Sequence, residues 1–196
     1  MNDTEIKRKP GRPRSTEAYE SLINATTRLM EVKAIRNITI GEIAKEAGVG
    51  KPTIYRWWDS KCALIMDAFL SSTAPHIPVL KSGTALKTLG RQIRSLIQLM
   101  NGRSGRIVAE IIGEGQSDPH IMEEFRNRFF QHLLDPLRAV INYGISSDEF
   151  DPDLDVELAL DLIFGPVYYR LLLGHQTLDA SFADRLITRI EVLLEK

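Results

Sequence analysis

Apolar residues recur at steps of three and four along almost the whole chain, the spacing that lines one face of a helix, and no stretch alternates apolar and polar residues as a half-buried strand would. Ser15 or Thr16 caps a first helix with Ala18, Leu22, Ala25, Leu29 and Val32 inward, ending between Lys33 and Asn37. Thr39-Ile40-Gly41-Glu42 fits a capping box, in which hydroxyl and carboxylate satisfy each other's free backbone amides. It opens a short helix with Ile40, Ile43, Ala44 and Ala47 inward, and Gly48 stops that helix because glycine accepts the left-handed conformation there. Pro52 falls at the first position of a third helix of about seven residues, where its missing N–H costs nothing. Asp59-Ser60 caps a fourth with Leu64, Ile65, Ala68 and Phe69 inward. Pro75 and Pro78 then interrupt the pattern between Ala74 and Gly83, which marks a domain joint. Beyond it the periodicity predicts helices over 85–100, 107–114, a long run from Asp118-Pro119 kinked or split by Pro136, 153–173 and 182–194.

Residues 39 to 58 thus read as helix, tight glycine turn, helix, the arrangement in which a second helix enters the major groove of DNA. At 100° per residue Ile54, Trp57 and Trp58 share one side of that helix, and Pro52, Thr53, Tyr55 and Arg56 are left to the other. Arg56 can donate two hydrogen bonds to guanine, Thr53 and Pro52 can meet a thymine methyl, and the Tyr55 hydroxyl can reach a phosphate. Lys61 lies in the first turn of the next helix, where a cation opposes the helix dipole, so its presence points to an anion nearby. The alternative is that the Tyr-Arg-Trp-Trp cluster is merely core plus surface.

Composition adds little until charge is followed along the chain. The 196 residues carry 25 Lys+Arg and 26 Asp+Glu, a net charge of −1. Residues 1–61 hold 12 basic and 8 acidic side chains, net +4, leaving −5 for the rest, a basic front on an acidic body. Lys7-Arg8-Lys9-Pro10-Gly11-Arg12-Pro13-Arg14 packs five positive charges around residues that break helix and sheet, which predicts a flexible cationic arm over 1–15. Its Pro-Gly-Arg-Pro resembles an AT-hook core, so Arg12 and Arg14 are candidates for the minor groove; a tail that only aids solubility is the alternative. With 43% hydrophobic residues the chain is globular rather than disordered, and the single cysteine, Cys62, excludes an intramolecular disulfide scaffold and suits a reducing, cytoplasmic setting. No apolar run reaches the roughly 18 residues of a membrane span, so no membrane partner is expected.

Thr39-Ile40-Gly41-Glu42-Ile43-Ala44, then Ala47-Gly48-Val49-Gly50-Lys51-Pro52-Thr53-Ile54-Tyr55-Arg56-Trp57-Trp58, then Ser60-Lys61 and Ala63-Leu64, resembles the N-terminal DNA-binding domain of the TetR family of transcriptional regulators. The likeness implies phosphate contacts from Tyr55 and Lys61, a backbone contact from Thr39, base contacts from Lys51, Pro52, Thr53 and Arg56, and Trp57 at the groove edge. Trp58 stands where the family usually has Phe, Cys62 where it often has Glu, and Pro52-Thr53 where Gly-Thr is commoner, which leaves base preference open. Phe164-Gly165-Pro166-Val167-Tyr168-Tyr169-Arg170 resembles the penultimate helix of one subgroup. By that resemblance the last two helices would form a dimer interface and the middle helices would surround a small-molecule effector. The expected architecture is all-α with about nine helices: a three-helix helix-turn-helix DNA-binding domain over 16–72 and a larger helical ligand-binding and dimerisation domain over 80–196.

For the dimer interface the candidates are Leu158, Leu162, Val167, Leu171, Leu186, Ile190 and Leu193, since these helices carry more apolar surface than one layer needs; closing the monomer core is the alternative. For the effector the candidates are Met100, Arg103, Glu110, Phe125, Phe129, His132 and Tyr168, with Arg126 beside them, although the aromatic stripe also reads as plain core. The four histidines are scattered without metal-ligand spacing, and Gly113 and Gly115 lack the third glycine of a phosphate loop, so neither an enzyme, a metal nor a cofactor is expected. The expected function is a homodimeric repressor released from a palindromic operator by a small-molecule inducer; the alternative is a helical DNA-associating or interaction protein that regulates nothing and has no ligand.

Overall fold

A computed structural model describes residues 16–73 and 83–195, and every regular element among them is helical. The arm with Arg12 and Arg14, and the proline-marked joint over 74–82, lie outside the described residues.

Helix α1 (Thr16–Val32) leads through a 3₁₀ turn (Ile35–Asn37) to α2 (Ile40–Glu46), α3 (Lys51–Tyr55) and α4 (Lys61–Thr73). Then come α5 (Ala85–Met100), α6 (Arg103–Gly115), α7 (Pro119–Glu124), a π-helical turn (Phe125–Phe130), α8 (Gln131–Ser146), α9 (Val156–Leu173) and α10 (Ala180–Leu194). Because α7, the π turn and α8 run on without a break, the described residues form nine helical rods.

The ends are set by local chemistry. Thr39 and Glu42 make the reciprocal capping box: the Thr39 hydroxyl accepts from the Glu42 N–H at 3.2 Å, and the Glu42 carboxylate accepts from the Thr39 N–H at 3.0 Å. Gly48 sits at φ 67°, left-handed backbone that turns the chain between α2 and α3. Asp118, Asp155 and Asp179 cap α7, α9 and α10 by accepting backbone N–H groups. Glu149 reaches from the loop after α8 to accept the first two amides of α5, at 2.7 and 2.9 Å.

The structure shifts some expected faces. On α1 the buried side is Leu22, Ile23, Ala25, Thr26 and Met30, and Val32 is 77% exposed, because the next step of the helical period falls on Met30. Helix α3 closes at Tyr55, two residues short of the expected seven, and Arg56 forms its C-cap. Helix α6 starts at Arg103, four residues before its apolar pattern. Pro136 sits within α8 without ending it.

Both halves share a continuous apolar core from Leu22 to Leu194. Helix α4 packs on α1 on one side and on α7 and the π turn on the other, joining the first four helices to the rest. The α5–α6 corner is tight enough to require Gly105, where a Cβ would lie 1.9 Å from the Met100 carbonyl oxygen.

Candidate nucleic-acid interface and effector region

Helix α3 is held from beneath. Ile54 is fully buried and Trp58 nearly so, while Lys51, Pro52, Tyr55 and Arg56 face solvent and Thr53 and Trp57 are half-buried. Trp58 stacks on Tyr19 of α1 (5.1 Å between centroids, 21° between planes), Trp57 tilts against the same ring at 5.0 Å, and the Trp58 indole N–H donates to Asp67 at 2.5 Å. Five residues are far too few for a helix to persist unaided, so these contacts hold α3 in place. Its outward side presents a hydroxyl, a proline ring and a guanidinium, and residues 47–58 contain Lys51 and Arg56 but no acid.

Two cations stand differently from the sequence expectation. The Lys51 stem lies over Gly41, whose missing side chain leaves room: a Cβ there would come 3.4 Å from Lys51 Cε and 3.7 Å from Nζ. Its ammonium therefore sits by the N-terminus of α2, beside Thr39, rather than along the outer side of α3. Lys61 donates to the carbonyls of Ile35 (3.2 Å) and Ile38 (3.0 Å), so two of its three N–H bonds point inward to the end of the 3₁₀ turn. Thr39 is exposed but its hydroxyl is already engaged with Glu42. The Glu42 carboxyl is held down at about 2 from the usual 4.5, first by Lys33 and then by the Thr39 amide and hydroxyl.

The seven candidate effector residues are not gathered into one pocket. Arg103 donates to Glu31 Oε1 at 2.7 Å and to the Thr27 carbonyl at 2.9 Å, and Glu110 accepts from the Ile35 N–H at 2.7 Å. With Arg106, which donates to the Met30 carbonyl at 3.1 Å, they form a seam between α6 and the end of α1. His132 and Arg126 are exposed to solvent. Helical periodicity gives a side chain's direction on its own helix but not which neighbour lies opposite.

Phe125, Phe129 and Tyr168 do cluster. Phe69 of α4 packs on Phe129 (4.9 Å), Phe129 on Phe125 (5.4 Å), Phe125 on Phe130 (6.2 Å), and Phe130 on both Phe164 (5.6 Å) and Tyr168 (6.0 Å). The Tyr168 hydroxyl is buried without a hydrogen-bond partner, and burial alone pushes its ionisation far above the usual tyrosine range. Buried hydroxyls are ordinarily hydrogen-bonded, and no protein group meets this one. Two clefts of about 370 and 380 Å³ open elsewhere: one between the 3₁₀ turn and α6, bordered by Arg36, Glu110 and Gly113, the other at the α5–α6 corner, bordered by Met100, Arg106, Arg170 and Leu171. Phe130 belongs to the aromatic stripe of the sequence, whereas Phe164 and Arg106 were not among the candidates; the Phe130-to-Phe164 contact joins α9 to the π turn and carries no sequence signal.

The candidate dimer residues divide in the same way. Val167, Leu186 and Ile190 are 0%, 8% and 4% exposed and close the protomer's own core. Leu171 and Leu193 are half-buried, while Leu158 and Leu162 are 53% and 42% exposed. Continuing the same side of α9, Tyr169, Leu172 and Leu173 are also exposed, and Gly165 between them has open space where a side chain would be. The uncovered stripe is thus Leu158, Leu162, Gly165, Tyr169 and Leu172, with Val192 of α10 also exposed.

Among the described residues no group of three or more His, Cys, Asp or Glu is placed to hold a metal, and no helix is long and apolar enough to cross a membrane. A capped helix, a left-handed glycine turn and a short helix anchored by Ile54 and Trp58 with its polar side outward define a helix-turn-helix DNA-binding protein. Comparison with known proteins agrees. The family described as "Bacterial regulatory proteins, tetR family" matches residues 22–68, and "Tetracyclin repressor-like, C-terminal domain" matches residues 81–190. The chain is 35% identical over 182 residues to the uncharacterized HTH-type transcriptional regulator YdeS of Bacillus subtilis, covering 93% of this chain and 92% of that one. Its fold matches the crystal structure of the TetR family regulator SCO0332 with a TM-score of 0.77 at 25% identity, over 92% of this chain and 100% of that one. It also matches FadR of Bacillus subtilis, solved in complex with stearoyl-CoA, with a TM-score of 0.69 at 22% identity, over 90% and 97%. The chain belongs to the TetR family of transcriptional regulators, proteins that regulate rather than catalyse.

Proposed function

We propose that this protein is a homodimeric repressor that binds a palindromic operator in the bacterial cytosol and leaves it when a small, largely apolar effector enters the helical second domain. The observation that carries the reading is α3, with Pro52, Tyr55 and Arg56 outward over buried Ile54 and Trp58. Arg56, Pro52 and Thr53 read base edges; Tyr55, Lys51 beside the α2 N-terminus, Thr39 and the remaining N–H of Lys61 serve phosphates; Trp57 borders the groove. Arg12 and Arg14 reach the adjacent minor groove. A second copy covers the α9 stripe around Gly165, where a partner helix could approach closely, and sets the two α3 helices about 34–36 Å apart, one turn of DNA.

The aromatic cluster ending at the unpartnered Tyr168 hydroxyl supports an effector with a large apolar part and one hydrogen-bonding group. Such a molecule shifts the equilibrium only through tighter binding to the state that DNA disfavours. FadR of Bacillus subtilis, solved with stearoyl-CoA, makes long-chain acyl-CoA a first probe.

The test is footprinting on the source genome. One sharply protected palindrome is expected; uniform coverage, with no selected sequence, would instead mean a DNA-associating protein that regulates no promoter.

A further inference from the structure

The run from Pro119 to Ser146 departs from α-helix only at the π turn, Phe125–Phe130. A π turn inserts an extra residue and rotates the rest of the rod by about 100°, at a cost in backbone geometry that its side chains must offset. One side of this turn carries the rings that pack toward Phe69, Phe164 and Tyr168. Beside them Arg128 also crosses to α4, the helix that carries Phe69. Its guanidinium pairs with Asp67 Oδ1, and Nη1 also meets Glu124 at 3.2 Å and the Ala63 carbonyl at 3.4 Å. The second oxygen of Asp67 accepts the Trp58 indole N–H. Both oxygens of one carboxylate are thereby used, one by the π turn and one by Trp58, the buried residue just beyond α3.

The network is sheltered. The Arg128 and Asp67 side chains are 32% and 17% exposed, so the pair is less screened than an open surface ion pair. Trp58 and Ile54 are the buried anchors of α3, and Trp58 is the one gripped by a charge from outside the helix-turn-helix.

We infer that Arg128 is a positioning residue for DNA recognition: through Asp67 and Trp58, the π turn of the second domain fixes the pose of α3. The inference rests on reading α3 as the DNA-contacting helix. Arg128 lies behind Trp58, on the buried side of α3, and acts through it rather than by touching a nucleotide.

The test uses the full chain and a duplex that the wild type selects from a random-sequence pool. Wild type, Arg128→Met, Arg128→Lys, Trp58→Phe and the Arg128→Met/Trp58→Phe double variant are titrated across a range of salt concentrations, with tryptophan emission and melting recorded alongside. Arg128→Met is expected to weaken binding by about 3- to 20-fold with an unchanged salt slope, since no phosphate contact is lost. Arg128→Lys restores part of the loss. The emission maximum moves, Trp58 being one of two tryptophans in the chain, and the double variant is no worse than the weaker single. Three results overturn the inference: a folded Arg128→Met within about twofold of wild type, a shallower salt slope, which would make Arg128 a direct phosphate contact, or losses that multiply in the double variant. If Arg128→Met fails to fold, Asp67→Asn keeps an acceptor for the indole while removing the ion pair, and the same readings decide. Failure of the wild type to select any duplex sinks the regulator reading and this inference with it; a binding wild type with an indifferent Arg128→Met sinks this inference alone.

Discussion

Arg56 forms the C-cap of α3 and is exposed to solvent, and the proposed function has it read one base pair per half-site. Arg56→Ala is expected to relax preference at that one position by about 1–3 kcal/mol, measured by competition with single-base variants of the selected duplex. A uniform loss over all sequences would assign Arg56 to phosphate instead. Glu42 gives a pH prediction. Its carboxyl is lowered from 4.5 to about 2 in the folded chain by Lys33 and Thr39, so its contribution to stability is present above 4.5 and lost as pH falls toward 2. Acid melts of Glu42→Gln should lack that part of the decline; unchanged acid sensitivity in the variant would show that other carboxylates account for it. Single-residue chemistry of this kind was legible in the sequence because it is local: Thr39 and Glu42 are three residues apart, and the capping box appears as expected. The partners of Lys61 were not legible, since Ile35 and Ile38 lie 26 and 23 residues away and offer only backbone carbonyls, which every residue has.

Among the elements, α9 and α6 carry the sharpest contrasts. Leu162→Glu places a charge on the exposed stripe of α9 and is expected to give folded monomers by sedimentation, whereas Val167→Asp buries a charge in the protomer core and unfolds it. A Leu162→Glu protein that stays dimeric would move the interface elsewhere. On α6, Gly105→Ala sets a Cβ 1.9 Å from the Met100 carbonyl and should cost about 2–4 kcal/mol in thermal or urea unfolding, while Gly113→Ala meets open space and should gain up to about 1 kcal/mol. Equal effects at the two sites would contradict the tight corner. Helix α5 matches its periodicity end to end, and the α10 pattern misses only the first two residues. The π turn was invisible, because Phe125, Phe129 and Leu133 step by four just as an uninterrupted α-helix would. Which half of an apolar face is buried internally and which is left for a partner is likewise set by the neighbouring helix, so Val167 and Leu162 read alike in sequence and part company in the fold.

At the scale of the whole molecule, the shared core and the α6 seam predict that the first four helices and the remainder unfold together. Both tryptophans lie in the turn between α3 and α4, whereas most helical residues lie beyond α4. Tryptophan emission and far-ultraviolet ellipticity should therefore report the same midpoint in urea; an earlier tryptophan transition would mean that the DNA-binding end unfolds separately. The all-helical architecture and the helix-turn-helix could be anticipated from caps, glycine turns and period. Contacts between the halves could not, being non-local and directed largely at backbone.

That last property bears on how such regulators diversify. Across the seam, Glu110 takes an amide proton from Ile35, Arg103 holds the carbonyl of Thr27, and Arg106 that of Met30. Only Arg103 with Glu31 depends on which side chain faces it. Where the joint grips main chain it is indifferent to identity so long as the chain keeps its course, so a reading head with other side chains could be joined to this second domain provided it kept the apolar face of α4 and the Asp67 that Arg128 meets.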